Sequence, residues 1–108
     1  MKKQTDQSDA AIAFKERVHA WAAKVRVKPK QVRLQAMKRK WASCSTDGRV
    51  TFSLALLEEV SSFQEYVIVH ELIHLKVPNH GKLFTSLLAV HLPGYRFKAG
   101  AEAKSRSL

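Results

Sequence analysis

Tyr66-Val67-Ile68-Val69-His70-Glu71-Leu72-Ile73-His74-Leu75 is the stretch around which the rest of this chain must be arranged. Its apolar residues fall on most sides of a helical wheel, so a helix formed here is buried at the centre of a domain. Ser62-Phe63-Gln64-Glu65 matches a capping box, which predicts a start at Ser62 with Glu65 reaching back. Pro78 supplies the stop. His70 and His74 stand four residues apart and share one face, one turn above the other. Both imidazoles can therefore address a single ion at about 2.0–2.1 Å. Glu71, one step round, need not bind that ion and can act as the general base that takes a proton from an activated water. Burying two imidazoles and a carboxylate without a partner costs several kcal/mol, and a metal relieves that cost.

A catalytic zinc site uses three protein ligands and leaves a fourth position open. Downstream, His80, His91 and Glu102 are available. His80 lies just past Pro78, where the chain can turn back. Its spacing from His70 equals that of the three-histidine metzincin pattern, with Val77 where that pattern has glycine, so His80 is the expected third ligand. His91 is the runner-up, read more simply as a last-turn histidine facing the helix dipole. His19 reads as a surface residue.

Outward from this core, Asn79 is expected to cap a helix whose Phe84, Leu87, Leu88 and His91 share a face, with Pro93-Gly94 as its stop. On the other side, Ser8 or Asp9 can cap a helix running to about Val25, with Phe14, Val18, Trp21, Ala22 and Val25 as its apolar stripe. Pro29 closes that segment. Val32, Leu34 and Ala36 alternate with polar neighbours, as in a half-buried strand. Arg49-Val50-Thr51-Phe52-Ser53 is a second strand after the Thr46-Asp47-Gly48 turn. The two are predicted to pair as an antiparallel hairpin, with a short helix or turn at 54–60 packing Leu54, Leu56 and Leu57. The expected fold is α+β: a single domain over 1–108 with a small antiparallel sheet on an N-terminal helix and the buried His-Glu-x-x-His helix in the middle. Residues 1–8 and 98–108 are expected to be flexible ends.

The chain has 108 residues and a formal net charge of +10. No apolar run approaches the ~20 residues of a membrane span, and the charged, polar start does not read as a secretion signal. One cysteine, Cys44, allows no internal disulfide and fits a reducing, cytoplasmic setting. From 17 to 46 there is no acidic residue, whereas Arg17, Lys24, Arg26, Lys28, Lys30, Arg33, Lys38, Arg39 and Lys40 all fall there. Such a block attracts nucleic acid, nucleotides or acidic proteins, or serves only as a solvated face. No aromatic residues alternate with these charges as a base-stacking platform requires.

Taken together, Lys38-Arg39-Lys40-Trp41-Ala42-Ser43-Cys44-Ser45, Gly48-Arg49-Val50, the 66–75 string, Asn79-His80-Gly81 with Phe84, and Pro93 with Tyr95 resemble the YgjP-like metallopeptidase family, a relative of the SprT-like zincins. The resemblance runs from about Phe14 to Phe97. It implies one zinc ion held by His70, His74 and His80, with Glu71 as catalytic base. Ala42 stands where the family has glycine and Thr85 where it has an aromatic residue, and a proline before the metal helix is missing around Ser61-Ser62. Against the longer N-terminal part of many members, the chain reads as a minimal catalytic form.

Trp41 and Cys44 read first as anchors between strands. Alternatively Trp41, Ser43 and Ser45 line the substrate cleft, and Cys44 approaches the metal as an inhibitory ligand. Tyr95 and Arg96 are candidate stabilisers of the developing oxyanion. The function expected is zinc-dependent peptide hydrolysis, with an extended substrate along an exposed edge of the 33–53 hairpin. The competing readings are a metal-dependent nucleotide phosphohydrolase, which lacks a Gly-rich phosphate loop here, a DNA-associated SprT-like protease, and a metal-binding regulator.

Overall fold

The computed structural model describes residues 8–93. Helix α1 spans Asp9–Val25, strands β1, β2 and β3 span Gln31–Gln35, Ala42–Cys44 and Arg49–Ser53, a 3₁₀ turn covers Leu54–Glu58, and helices α2 and α3 span Ser61–His74 and Lys82–His91. No described helix is long and apolar enough to cross a membrane.

α1 starts as expected, with the Ala11 N–H donating to the Ser8 hydroxyl at 3.1 Å. It buries Ala11, Phe14, Val18, Ala22 and Val25. Trp21, read as part of that stripe, is only half-buried; it lies at its edge with the Lys24 ammonium 4.6 Å above the ring. The helix ends before Pro29. Arg26 adopts the left-handed conformation at φ 68° and returns its N–H to Ala22, so a C-terminal turn reverses the chain before proline is reached.

The sheet corrects the predicted pairing. Its strand order is β1-β3-β2. β1 runs parallel to β3, Gln31 beside Arg49 through Gln35 beside Ser53, and the antiparallel hairpin is formed by β2 and β3. A tight turn joins the strands that flank it. Here Gly48 N–H reaches the Ser45 carbonyl at 3.1 Å and Ser45 N–H reaches Arg49 at 2.8 Å. Gly48 sits at φ +97°, where side-chain-bearing residues are strained. The residues flanking this turn are β2 and β3, whereas β1 is separated by a crossover long enough for parallel pairing. β3, central in the sheet, is buried from Val50 to Ser53.

α2 is buried at Phe63, Gln64 and every residue from Val67 to Ile73. The predicted capping box is absent: Val60 holds the N-cap position without a side-chain bond. Ser61 is engaged elsewhere, its carbonyl and hydroxyl each accepting from Arg17 at 3.2 Å. Arg17 also donates to Gln64 Oε1, and Gln64 Nε2 donates to the Leu56 carbonyl at 2.9 Å. A buried amide thus ties α1, the 3₁₀ turn and α2 together, and tertiary contact outcompetes the local cap. Of the predicted 54–60 packing, Leu56 is fully buried and Leu54 and Leu57 are half-buried.

α2 also ends at His74, ahead of Pro78. Lys76 and Val77 N–H both close onto Ile73 at 2.9 and 2.8 Å. α3 starts at Lys82 with Gly81 at the N-cap, not at Asn79. The residues between serve as the loop that brings His80 back across α2. Phe84 is the fully buried residue of α3, with Leu87 and Leu88 half-buried against the core.

Candidate metal centre

The buried face of α2 presents His70 and Glu71, 5% and 3% exposed. His74, one turn on, is half-buried, and His80 approaches from the loop. One ligand nitrogen from each of His70, His74 and His80 lies within 4.8 Å of the others, and among the described residues these make up the one group of metal-ligating type so assembled. The imidazole centroids are 4.9, 5.1 and 4.6 Å apart in pairs.

Two backbone and side-chain contacts set the ring orientations. His74 Nδ1 faces the Val77 carbonyl at 3.3 Å, which places its proton there and leaves Nε2 as the lone pair. His70 Nδ1 faces Glu71 Oε2 at 3.3 Å. His80 Nε2 and His74 Nε2 are 2.9 Å apart. The His74 lone pair can accept a proton from His80 Nε2 or, with His80 as the other tautomer, share a cation with it, and a tetrahedral ion at 2.0–2.1 Å separates such ligands by about 3.3 Å. The donor set therefore fits a metal site. Burial pushes His74 below the ordinary imidazole value, and the neighbouring His70 and His80 add to this against Glu71 and Val77. A depressed value keeps the ring in the neutral form that ligates.

Phe84 completes the arrangement. Its ring centroid lies 5.0, 4.7 and 4.8 Å from those of His70, His74 and His80, so one side chain backs all three imidazoles. Neither this role nor the Val77 carbonyl was singled out from the sequence. The apolar residue four positions past His80 was the available signal for the first, and the early end of α2 hides the second.

Glu71 and His74 open into a cleft of about 300 Å³ whose opposite wall is β2, with Ala42, Ser43, Cys44 and Ser45. Ser43 and Ser45 are thus where a cleft role requires them, although Ser45 also accepts from Arg49 N–H at 3.1 Å and holds the turn. Trp41 is not in the cleft: it is buried and meets Phe63 edge-on at 5.2 Å. Burial and the nearby Glu71 push the Cys44 thiol up to about 11, which favours the thiol over the thiolate that binds metal. His91 packs edge-on against Trp21 at 6.4 Å and does not join the three histidines. His19 is exposed. Tyr95, Arg96 and Glu102 lie outside the described residues, as do 98–108 and all of the predicted flexible end 1–8 except Ser8, which caps α1.

The architecture is that of small metallopeptidases. The chain is similar to the metallopeptidase zymogen of Pyrococcus abyssi abylysin, at 20% identity and TM-score 0.73, over 88% of this chain and 99% of that one. It is also similar to the zymogen of Methanocaldococcus jannaschii jannalysin, at 23% identity and TM-score 0.76, over 84% and 93%. No curated protein sequence matches it. Residues 3–99 match the family described as YgjP-like, metallopeptidase domain. The chain belongs to that family, and is a metal-dependent peptidase.

Proposed function

We propose that the chain is a zinc peptidase in which His70, His74 and His80 hold one ion and Glu71 is the general base. The observation that carries this reading is the convergence of three imidazoles beside a buried carboxylate at the floor of an open cleft. A zinc ion bound there supplies Lewis acidity for water and for the scissile carbonyl. Glu71, held against His70, takes the proton from the attacking water and delivers it to the leaving amine. Phe84 and the Val77 carbonyl keep the imidazoles oriented. The substrate lies extended along β2, which is an edge strand and the cleft wall, where main-chain hydrogen bonds give register. This replaces the 33–53 hairpin edge expected from the sequence, because β2 is the strand that faces Glu71.

The test is metal analysis of the purified protein with casein cleavage by wild type and Glu71→Gln. One zinc per chain and cleavage lost in a variant that keeps its zinc are expected. Phosphate release from nucleoside triphosphates without proteolysis would overturn the proposal. His80→Ala reads the third ligand separately, through lost zinc.

A further inference from the structure

The cleft beside Glu71 continues into a second groove. Ser45, Thr46, His74 and Pro78 line both, and the second measures about 550 Å³. Arg26, Lys28 and Lys76 line its far part, with Asp47 as the acidic residue among them. The fold brings these cations together from distant parts of the sequence. Arg26 and Lys28 follow the left-handed turn that ends α1. Lys76 follows α2, and its ammonium donates to the Val25 carbonyl at 3.0 Å.

Asp47 does not neutralise them. Its carboxylate accepts from the Ser45 hydroxyl and pairs with Arg49 at 3.4 Å, with Lys30 also close enough to act on it. No described carboxylate pairs with Arg26 or Lys28. A groove walled by such cations carries a positive potential that its concave shape concentrates.

We propose that this groove is a subsite for acidic side chains of the peptide substrate, so that the enzyme selects segments with Asp or Glu on one side of the scissile bond. Continuity with the β2 edge favours a peptide, because an extended chain seated there runs on past Thr46 into the groove. A nucleic acid is disfavoured, because among the described residues no Phe, Tyr or Trp lines the groove to stack on bases. The inference rests on the peptidase reading for turnover, while binding can be measured without turnover.

Two fluorescent peptides, identical except for three Glu or three Gln beside the cleavable bond, are titrated into zinc-loaded Glu71→Gln protein, and the same pair is offered to wild type for cleavage. The Glu peptide is expected to bind about tenfold more tightly at low salt, the scale of a few exposed ion pairs. The preference should shrink to about twofold at 0.5 M NaCl as the charges are screened. In Arg26→Asn/Lys28→Gln, where Asn tolerates the left-handed turn, the preference is expected to vanish while the Gln peptide binds as before. Lys28→Arg should retain it. Equal binding of both peptides by the parent protein, or a preference untouched in the double variant, would refute the subsite. So would displacement of the Glu peptide by a single-stranded oligonucleotide at lower concentration than by the unlabelled peptide. Binding preference without cleavage of either peptide by wild type would count against the peptidase reading alone.

Discussion

Replacing Phe84 with alanine probes both the packing of α3 and the metal centre. Phe84 is 3% exposed, and its ring stands 4.7–5.0 Å from three imidazole centroids. Phe→Ala changes in cores cost about 3–5 kcal/mol. α3 is otherwise held by half-buried side chains that can settle into the space, so the low end, about 3 kcal/mol, applies. For a domain of this size that corresponds to a fall of about 12–24 °C in melting temperature. The loss should also loosen His80, whose loop is tethered where α3 begins. Ligand binding stabilises the folded state in proportion to the logarithm of ligand concentration over Kd. Differential scanning calorimetry with and without zinc therefore reads both effects: the metal-free midpoint falls, and the zinc-induced rise becomes smaller than in wild type. Phe84→Leu should recover most of both. A Phe84→Ala protein with a lowered midpoint but an undiminished zinc-induced rise would show that Phe84 is packing alone and has no part in holding the imidazoles.

Gln64→Ala removes the amide that accepts from Arg17 and donates to Leu56; leaving buried partners unsatisfied should cost about 1–3 kcal/mol in urea unfolding, and an unchanged midpoint would sink that account. Arg26→Gly should raise stability by about 0.5–1 kcal/mol, because glycine takes φ 68° without strain; a lowered melting temperature would contradict it. His91 is depressed by burial and then by Lys76 and Lys24. The unfolded chain therefore takes up that proton first as pH falls through about 6.5, so the stabilising contribution is present above that value and lost below it. The metal-free melting temperature should fall between pH 7.5 and 5.5, and His91→Phe, which keeps a ring against Trp21, should flatten part of that slope. An identical slope in the variant would exclude His91 as a source.

The helices and the pairing of His70 with His74 on one face are legible in the sequence because their signals are periodic and local. α2 is apolar on nearly every side, so its burial followed from residues 66–75 alone, and the four-residue spacing of His70 and His74 puts them on one face in any helix. What was misread depends on distant partners. Ser62-Phe63-Gln64-Glu65 has the letters of a capping box, but Arg17 reaches Ser61 from another helix and the start moves. β2 is three residues long, too short to show an alternation. Thr46-Asp47-Gly48 marks the turn, but the visible alternation before it lies in Val32-Arg33-Leu34, which points to the wrong first strand and conceals the parallel pairing of β1 with β3. His80 is marked by its spacing from His70, whereas the Val77 carbonyl faces His74 only because α2 stops early.

The brevity of β2 has a consequence for life in solution at high concentration. An exposed sheet edge is open to pairing with the same edge of another copy. Here the edge strand on the cleft side spans only Ala42–Cys44 and is preceded by the exposed Lys38, Arg39 and Lys40. Three residues provide too few ladder hydrogen bonds to hold two molecules edge to edge, and like charges oppose their approach. The same shortness that hides the strand in the sequence denies a second copy a ladder long enough to grow on.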